Sequence, residues 1–134
     1  MPLAQLQKPL AEARRTLISS GGVHAQNDRP LDVCHPFGDF RLRRVPSQLG
    51  HEELIIHQLK YPHDDADVDI NVIFPIERLQ GIGSRRSSGR THGHFSSFIG
   101  YSMEPEKFER TVARDIAEAA VPEAKADVAL LATA

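Results

Sequence analysis

Chemistry in this chain would have to come from seven histidines, a lone cysteine and a paired glycine. Gly21-Gly22, followed by His24, closes the run Thr16-Leu17-Ile18-Ser19-Ser20. A glycine turn at a strand end either presents backbone N–H groups to an anionic ligand or is only a tight turn. Gly21 and Gly22 are therefore candidate substrate-binding residues, and His24 either gates such a pocket or lies exposed. Asn71 sits inside the apolar run 68–74, where a buried amide needs hydrogen-bond partners: a substrate carboxylate, or the turn into the next helix. Arg78 can hold a carboxylate with two parallel hydrogen bonds, or pair with Glu77 or Asp69. His92 and His94 are two apart and share one face of a strand. His57 or His63, with Asp64 and Asp65, would complete a divalent-metal set, but no spacing has the diagnostic H-E-x-x-H form and no metal is assigned. Cys34 acts as a nucleophile only if its pKa is depressed and its thiol exposed. Arg41, Arg43 and Arg44, with Arg85, Arg86 and Arg90, either line an anionic pocket or form solvated surface charge. Neither G-x-G-x-x-G nor G-x-x-x-x-G-K-[ST] occurs, so no cofactor is assigned to the chain.

These residues need a scaffold. Residues 1–15 form a loosely ordered lead-in interrupted by Pro9, and 16–20 is the first strand. The stretch from Val23 to Pro46 is rich in Pro, Asp, Asn and Gly and reads as a long surface excursion. Strands follow at 54–59 and, from the alternation of Val68, Ile70, Val72 and Phe74, at 68–74. Pro75 and Glu77 open a helix of under two turns that Gly81 stops. The small polar and basic residues of 83–91 predict a flexible loop, and 94–100 a short strand or a loop packed on the sheet. Phe108, Val112 and Ile116 recur every four residues and mark a helix over 105–120, ended by Val121-Pro122. Residues 127–131 form a final buried strand. The expected architecture is one α/β domain over 1–134: a mostly parallel open sheet flanked by helices. Its carboxyl edge is where Ser20, Gly21, Gly22, His24 and the loops around His63 and His94 are expected to converge.

Composition limits the partners. The length suits one domain, and 40% hydrophobic with 25% charged residues is the make-up of a folded globular chain. A formal charge of −2 gives no global attraction to nucleic acid or anionic membrane. No apolar run approaches the roughly 20 residues that span a bilayer, and the start lacks the apolar block of a signal peptide. With a single cysteine there is no internal disulfide, and a cytoplasmic location is expected.

The motifs LISSGGVH (17–24), FGDFRLRRVP (37–46), DINVIFPIERL (69–79), IGS (82–84), HFSSFIGY (94–101) and ADVALLATA (126–134) resemble, in this order, the amino-terminal part of the selenoprotein B subunits of glycine, sarcosine, betaine and D-proline reductases. DINVIFPIERL is the most specific, close to a family signature of the form D-I-N-x-V-F-P-I-D-R-L. The chain departs from the family after Arg78-Leu79, where its members have a longer helix, and again over 84–97. The resemblance implies binding of a small amino-acid-like or amine substrate, and reductive cleavage of a C–N bond by a selenol or thiol with electrons and other subunits supplied externally. That redox residue belongs to the family's carboxy-terminal portion and has no counterpart here; Cys34 does not match it. His94 matches the histidine of an H-Y-S-F-M-G-Y-like motif, which implies hydrogen bonding or proton transfer rather than metal ligation. Two further readings stand beside the reductase one. The first is a repurposed small-molecule enzyme using His94 or His24 for acid–base chemistry. The second is a non-catalytic binding or assembly subunit, a homo-oligomer or one completed by a partner subunit.

Overall fold

The structure is a computed structural model that describes residues 4–84 and 93–134. A four-stranded sheet organises it, with spatial order β3 (Arg43–Pro46), β5 (His94–Ser97), β1 (Arg15–Ser19), β6 (Val128–Ala132). β1 runs parallel to both neighbours, with Ser19 opposite Ser97 on one side and Ala132 on the other. β3 is antiparallel to β5, Arg43 facing Ser97 and Pro46 facing His94. The α/β architecture is as expected, and the sheet is mixed but largely parallel. A separate two-stranded ribbon joins β2 (Val23–Ala25) to β4 (Leu54–Ile56).

Side chains alternate across β1 and β5, and the two faces have different covers. Leu17 and Phe95 face the ribbon, the segment 64–79 and β3's Val45 in one apolar cluster with Ile70, Ile73, Phe74, Ile76 and Leu79. Phe74 meets Phe95 edge-on, ring centres 6.3 Å apart, and each fully buried ring contributes roughly 1.5–3 kcal/mol. On the other face lies the long helix, residues 105–123, with Val112 fully buried and Ala119 nearly so. Two wider turns, Glu109–Ala113 and Ala119–Glu123, interrupt its α-helical geometry. Pro122 is accommodated in the second of these, so the helix runs to Glu123, past the expected stop at Val121-Pro122.

Three expectations are corrected. Residues 68–74 are not a strand: α1 (Asp64–Val68) and a short 3-10 turn (Ile70–Val72) occupy them. Val68 is 82% exposed and Val72 60%, whereas Ile70, Ile73 and Phe74 are buried, a three-and-four spacing that belongs to a helical path. The apolar residues at 68, 70, 72 and 74 fitted the two-residue period equally well, so only packing decides. The 54–59 strand contracts to Leu54–Ile56 and leaves the main sheet for the ribbon. The supposed surface excursion supplies both β2 and the edge strand β3. In addition α2 (Ile76–Ser84) passes through Gly81 and lasts nine residues; glycine inside a helix costs about 1 kcal/mol and does not have to end it.

Ala13 is fully buried, and Asp127 accepts the Arg14 N–H and the Lys8 ammonium, which ties the lead-in to the start of β6. His92, Arg85, Arg86, Arg90 and the 85–91 part of the expected loop lie outside the described residues. Among the described residues no helix is long and apolar enough to cross a membrane.

Candidate functional site

Gly21 and Gly22 end β1 at the sheet's carboxyl edge. Their N–H groups are both taken internally, Gly21's by Ser19 Oγ at 3.0 Å and Gly22's by the Phe98 carbonyl at 2.9 Å. Gly22 has φ +68°, and a Cβ there would stand 2.8 Å from the His57 carbonyl oxygen; one on Gly21 would stand 2.9 Å from Ile73. The pair thus lets the loop after β4 press onto the strand end. Tyr61 Oη completes that contact by donating to the Gly21 carbonyl at 2.9 Å. Burial, with the Asp67 charge, raises the pKa of this phenol.

The chain turns through Gly22 into β2 and buries His24, 1% exposed. His24 Nδ1 lies 2.8 Å from the Ala25 carbonyl oxygen, and its Nε2 lies 3.3 Å from His57 Nδ1. A carbonyl only accepts, so Nδ1 carries the His24 proton and Nε2 offers a lone pair. His57 Nδ1 must then donate, which leaves His57 Nε2 as the unprotonated nitrogen of the neutral pair. The rings stack with centres 5.5 Å apart, and the His57 N–H is anchored on the Gly22 carbonyl at 2.9 Å. His57 is half-buried. His24 is thereby the buried member of the pair and His57 the more exposed one.

The other predicted residues lie elsewhere. His94 is three residues before Ser97 on β5, roughly 10 Å below the carboxyl edge at about 3.3 Å per residue, on the face that carries the long helix. There His94 Nε2 lies 3.4 Å from Glu123 Oε2, and Arg44 holds the same carboxylate with two bonds of 3.0 and 2.8 Å. The Arg44 bond, outweighing partial desolvation, lowers the Glu123 pKa, with His94 adding to it. His24 and His94 therefore do not converge. Asn71 uses its amide in the turn before α2: the side-chain oxygen accepts the Glu77 and Arg78 N–H groups, and its nitrogen donates to Asp69 and Glu77. Arg78 is exposed, 3.6 Å from Asp69. His63 pairs with Asp67 at 2.9 Å, and no group of three or more metal-ligating side chains assembles among the described residues.

A second feature of the carboxyl edge was missed in the sequence. The loop before β3 folds over the end of β5, where Gly38 (φ +95°) lies against the Tyr101 carbonyl and the Met103 N–H donates to the Phe37 carbonyl. Between this loop and the first turn of the long helix opens a cleft of about 330 Å³ lined by Arg29, Asp32, His35, Asp39, Arg41 and Lys107. Asp39 is its buried anchor, taking Arg41 Nε at 2.7 Å with a second bond from the same guanidinium and the Asp32 N–H at 2.7 Å. Burial alone would raise the Asp39 pKa, but these donors and the nearby Arg43 charge outweigh it and the net shift is downward. Cys34 is exposed in the same loop. No local motif marks either cluster. His57 meets Gly22, and Lys107 meets the 29–41 loop, only through tertiary folding.

Against curated proteins, the chain is similar to the D-proline reductase subunit gamma of Acetoanaerobium sticklandii, 24% identical over 110 residues that cover 82% of this chain and 44% of that subunit. The chain thus spans less than half the length of this curated relative. No protein-family model and no solved structure matches it.

Proposed function

We propose that the chain is the substrate-facing part of a divergent reductase of the D-proline reductase type, binding a small amino-acid-like or amine substrate at the sheet's carboxyl edge. The observation that carries this reading is the His24–His57 pair at the end of β1, in a chain similar to the D-proline reductase subunit gamma over most of its length. Reductive cleavage of a C–N bond releases an amine that needs a proton. His57 Nε2, oriented by His24 and by the Ala25 carbonyl, accepts the proton that the attacking thiol or selenol gives up and passes it to the departing amine; the electrons and that thiol or selenol come from elsewhere. His94 and Arg78 have no part in this version, and Gly21, Gly22 and Asn71 shape the site without touching the ligand. The test is a thermal melt of the chain with millimolar D-proline, glycine or betaine: binding to the folded state alone raises Tm by mass action. An unchanged Tm with all three contradicts the substrate class.

A second reading, assembly with another copy or a partner subunit, is favoured by β6. This edge strand leaves Leu130 42% and Leu131 69% exposed and, among the described residues, pairs only with β1. Light scattering that gives only monomer at high concentration would remove the homo-oligomer from consideration.

A further inference from the structure

We infer that β6 is a self-pairing edge: two copies of the chain join antiparallel through it, Leu130 opposite the partner's Leu130, and merge their four-stranded sheets into one. The inference rests on the assembly reading above and gives it a partner and a register. The two edges of the sheet are built differently. β3 carries Arg44 and ends on Pro46, which has no N–H to offer, and charge and proline are what keep an edge from pairing. β6 reads Val-Ala-Leu-Leu-Ala, without charge, proline or glycine, and Ala129, Leu130 and Leu131 are all exposed.

The direction of each backbone group on β6 follows from its bonds to the β1 side. The Val128 N–H donates to the Arg14 carbonyl at 3.1 Å, and the Ala132 carbonyl accepts the Ser20 N–H at 3.2 Å. Backbone groups alternate sides along a strand, so Val128, Leu130 and Ala132 direct theirs to β1 while Ala129 and Leu131 point theirs outward. A two-fold axis at Leu130 sets Ala129 opposite the partner's Leu131, and Leu131 opposite the partner's Ala129. Each of these pairs exchanges both N–H···O=C bonds, and the two Leu130 residues form the closer, non-bonded pair between them.

The side chains agree with that register. Leu130 is the β1 neighbour of Leu17 and projects to the face that carries the apolar cluster, where the two Leu130 side chains cover each other. On the opposite face each Leu131 stands beside the other copy's small Ala129. Asp127, held by Lys8 and the Arg14 N–H, falls opposite the partner's Thr133, so no like charges meet. A register centred on Ala129 would set Leu131 against that carboxylate. One centred on Leu131 would carry Val128 and Ala129 past the end of the partner's β6. The surface is isologous and closes at two copies.

Sedimentation velocity of the full chain at rising concentration tests this, together with cysteine cross-linking. The parent chain is expected to pass from monomer to dimer and no further. Ala129→Pro removes an outward N–H and keeps the β1 ladder, and Leu131→Lys places a charge on an exposed position; each is expected to raise the dimer dissociation constant at least about tenfold, with a circular dichroism melt like the parent's. In a Cys34→Ser background, Leu130→Cys is expected to oxidise to a cross-linked dimer, because directly opposed Cα atoms about 4.5 Å apart are within disulfide reach. Leu131→Cys, whose counterpart lies diagonally across, is expected to stay reduced. A chain that remains monomeric at every concentration overturns both this pairing and the homo-oligomer. A dimer that survives Ala129→Pro and Leu131→Lys, with Leu130→Cys not cross-linked, overturns the β6 interface and leaves the homo-oligomer standing.

Discussion

The two ends of the sheet hold histidines in opposite ways. At the amino edge His94 joins Arg44 on Glu123 and clamps β3 and β5 to the end of the long helix. Every strong charge there has an opposite charge beside it, and the cluster is half open to water. At the carboxyl edge buried His24 has a carbonyl and a second imidazole as its neighbours. The first arrangement fastens elements; the second leaves atoms available to a ligand. A histidine near a carboxylate is thus no guide to chemistry until its partners' other bonds are counted.

The largest expected effect is at the loops of the carboxyl edge. Gly38→Ala forces a side chain into φ +95° and against the Tyr101 carbonyl, and is expected to cost about 3 kcal/mol in urea unfolding. Its counterpart near the amino edge, Gly50, has open space around it and an ordinary backbone, so Gly50→Ala is expected to leave stability within about 0.5 kcal/mol. Equal losses at the two glycines would erase the contrast.

Next in size is Asp39→Asn. The folded Asp39 pKa lies below its unfolded value, so its stabilisation is complete above the unfolded pKa of about 3.9 and is lost as the pH falls through the lower folded value. The variant is expected to have a lower urea midpoint than the parent at neutral pH and to match it in strong acid. A parallel offset at every pH would mean that Asp39 acts through packing alone.

Asn71→Ala removes the acceptor of two α2 N–H groups and is expected to cost about 1 kcal/mol, the usual value of a helix cap. If ligand affinity fell with stability restored by osmolyte, Asn71 would belong to the binding site after all. Glu123→Gln should show least: a small drop in Tm that salt abolishes, because exposed ion pairs contribute little and are screened.

Much of the framework was legible. The apolar runs at 16–20 and 127–131 became neighbouring parallel strands, but only the first is buried: β6 lies at the sheet edge with Leu130 and Leu131 exposed, not the buried strand its continuous apolar run predicted. The helix around Phe108, Val112 and Ile116 followed from its four-residue spacing. The misreading at 68–74 arose where two periods coincide: Ile70 and Phe74 fit both, and only the exposure of Val68 and Val72 separates them. β2 and β3 were hidden because three- and four-residue strands amid Pro and Asp carry little pattern of their own. His24 was recognisable from its place after the glycine turn; His57 was legible only as a possible metal ligand, and its pairing with His24 was not, since that link spans more than thirty residues of chain. The same holds for the cleft, where Arg29 and Lys107 look like ordinary surface charge.

The central claim is that the carboxyl edge, and not the amino edge, receives a small amino-acid-like ligand. An amide NMR titration of the isotope-labelled chain with D-proline tests it most directly. Shifts should concentrate at Gly22, His24 and His57 while Arg44, His94 and Glu123 stay fixed. Saturable shifts centred on His94 and Glu123, or none at either edge, would contradict it.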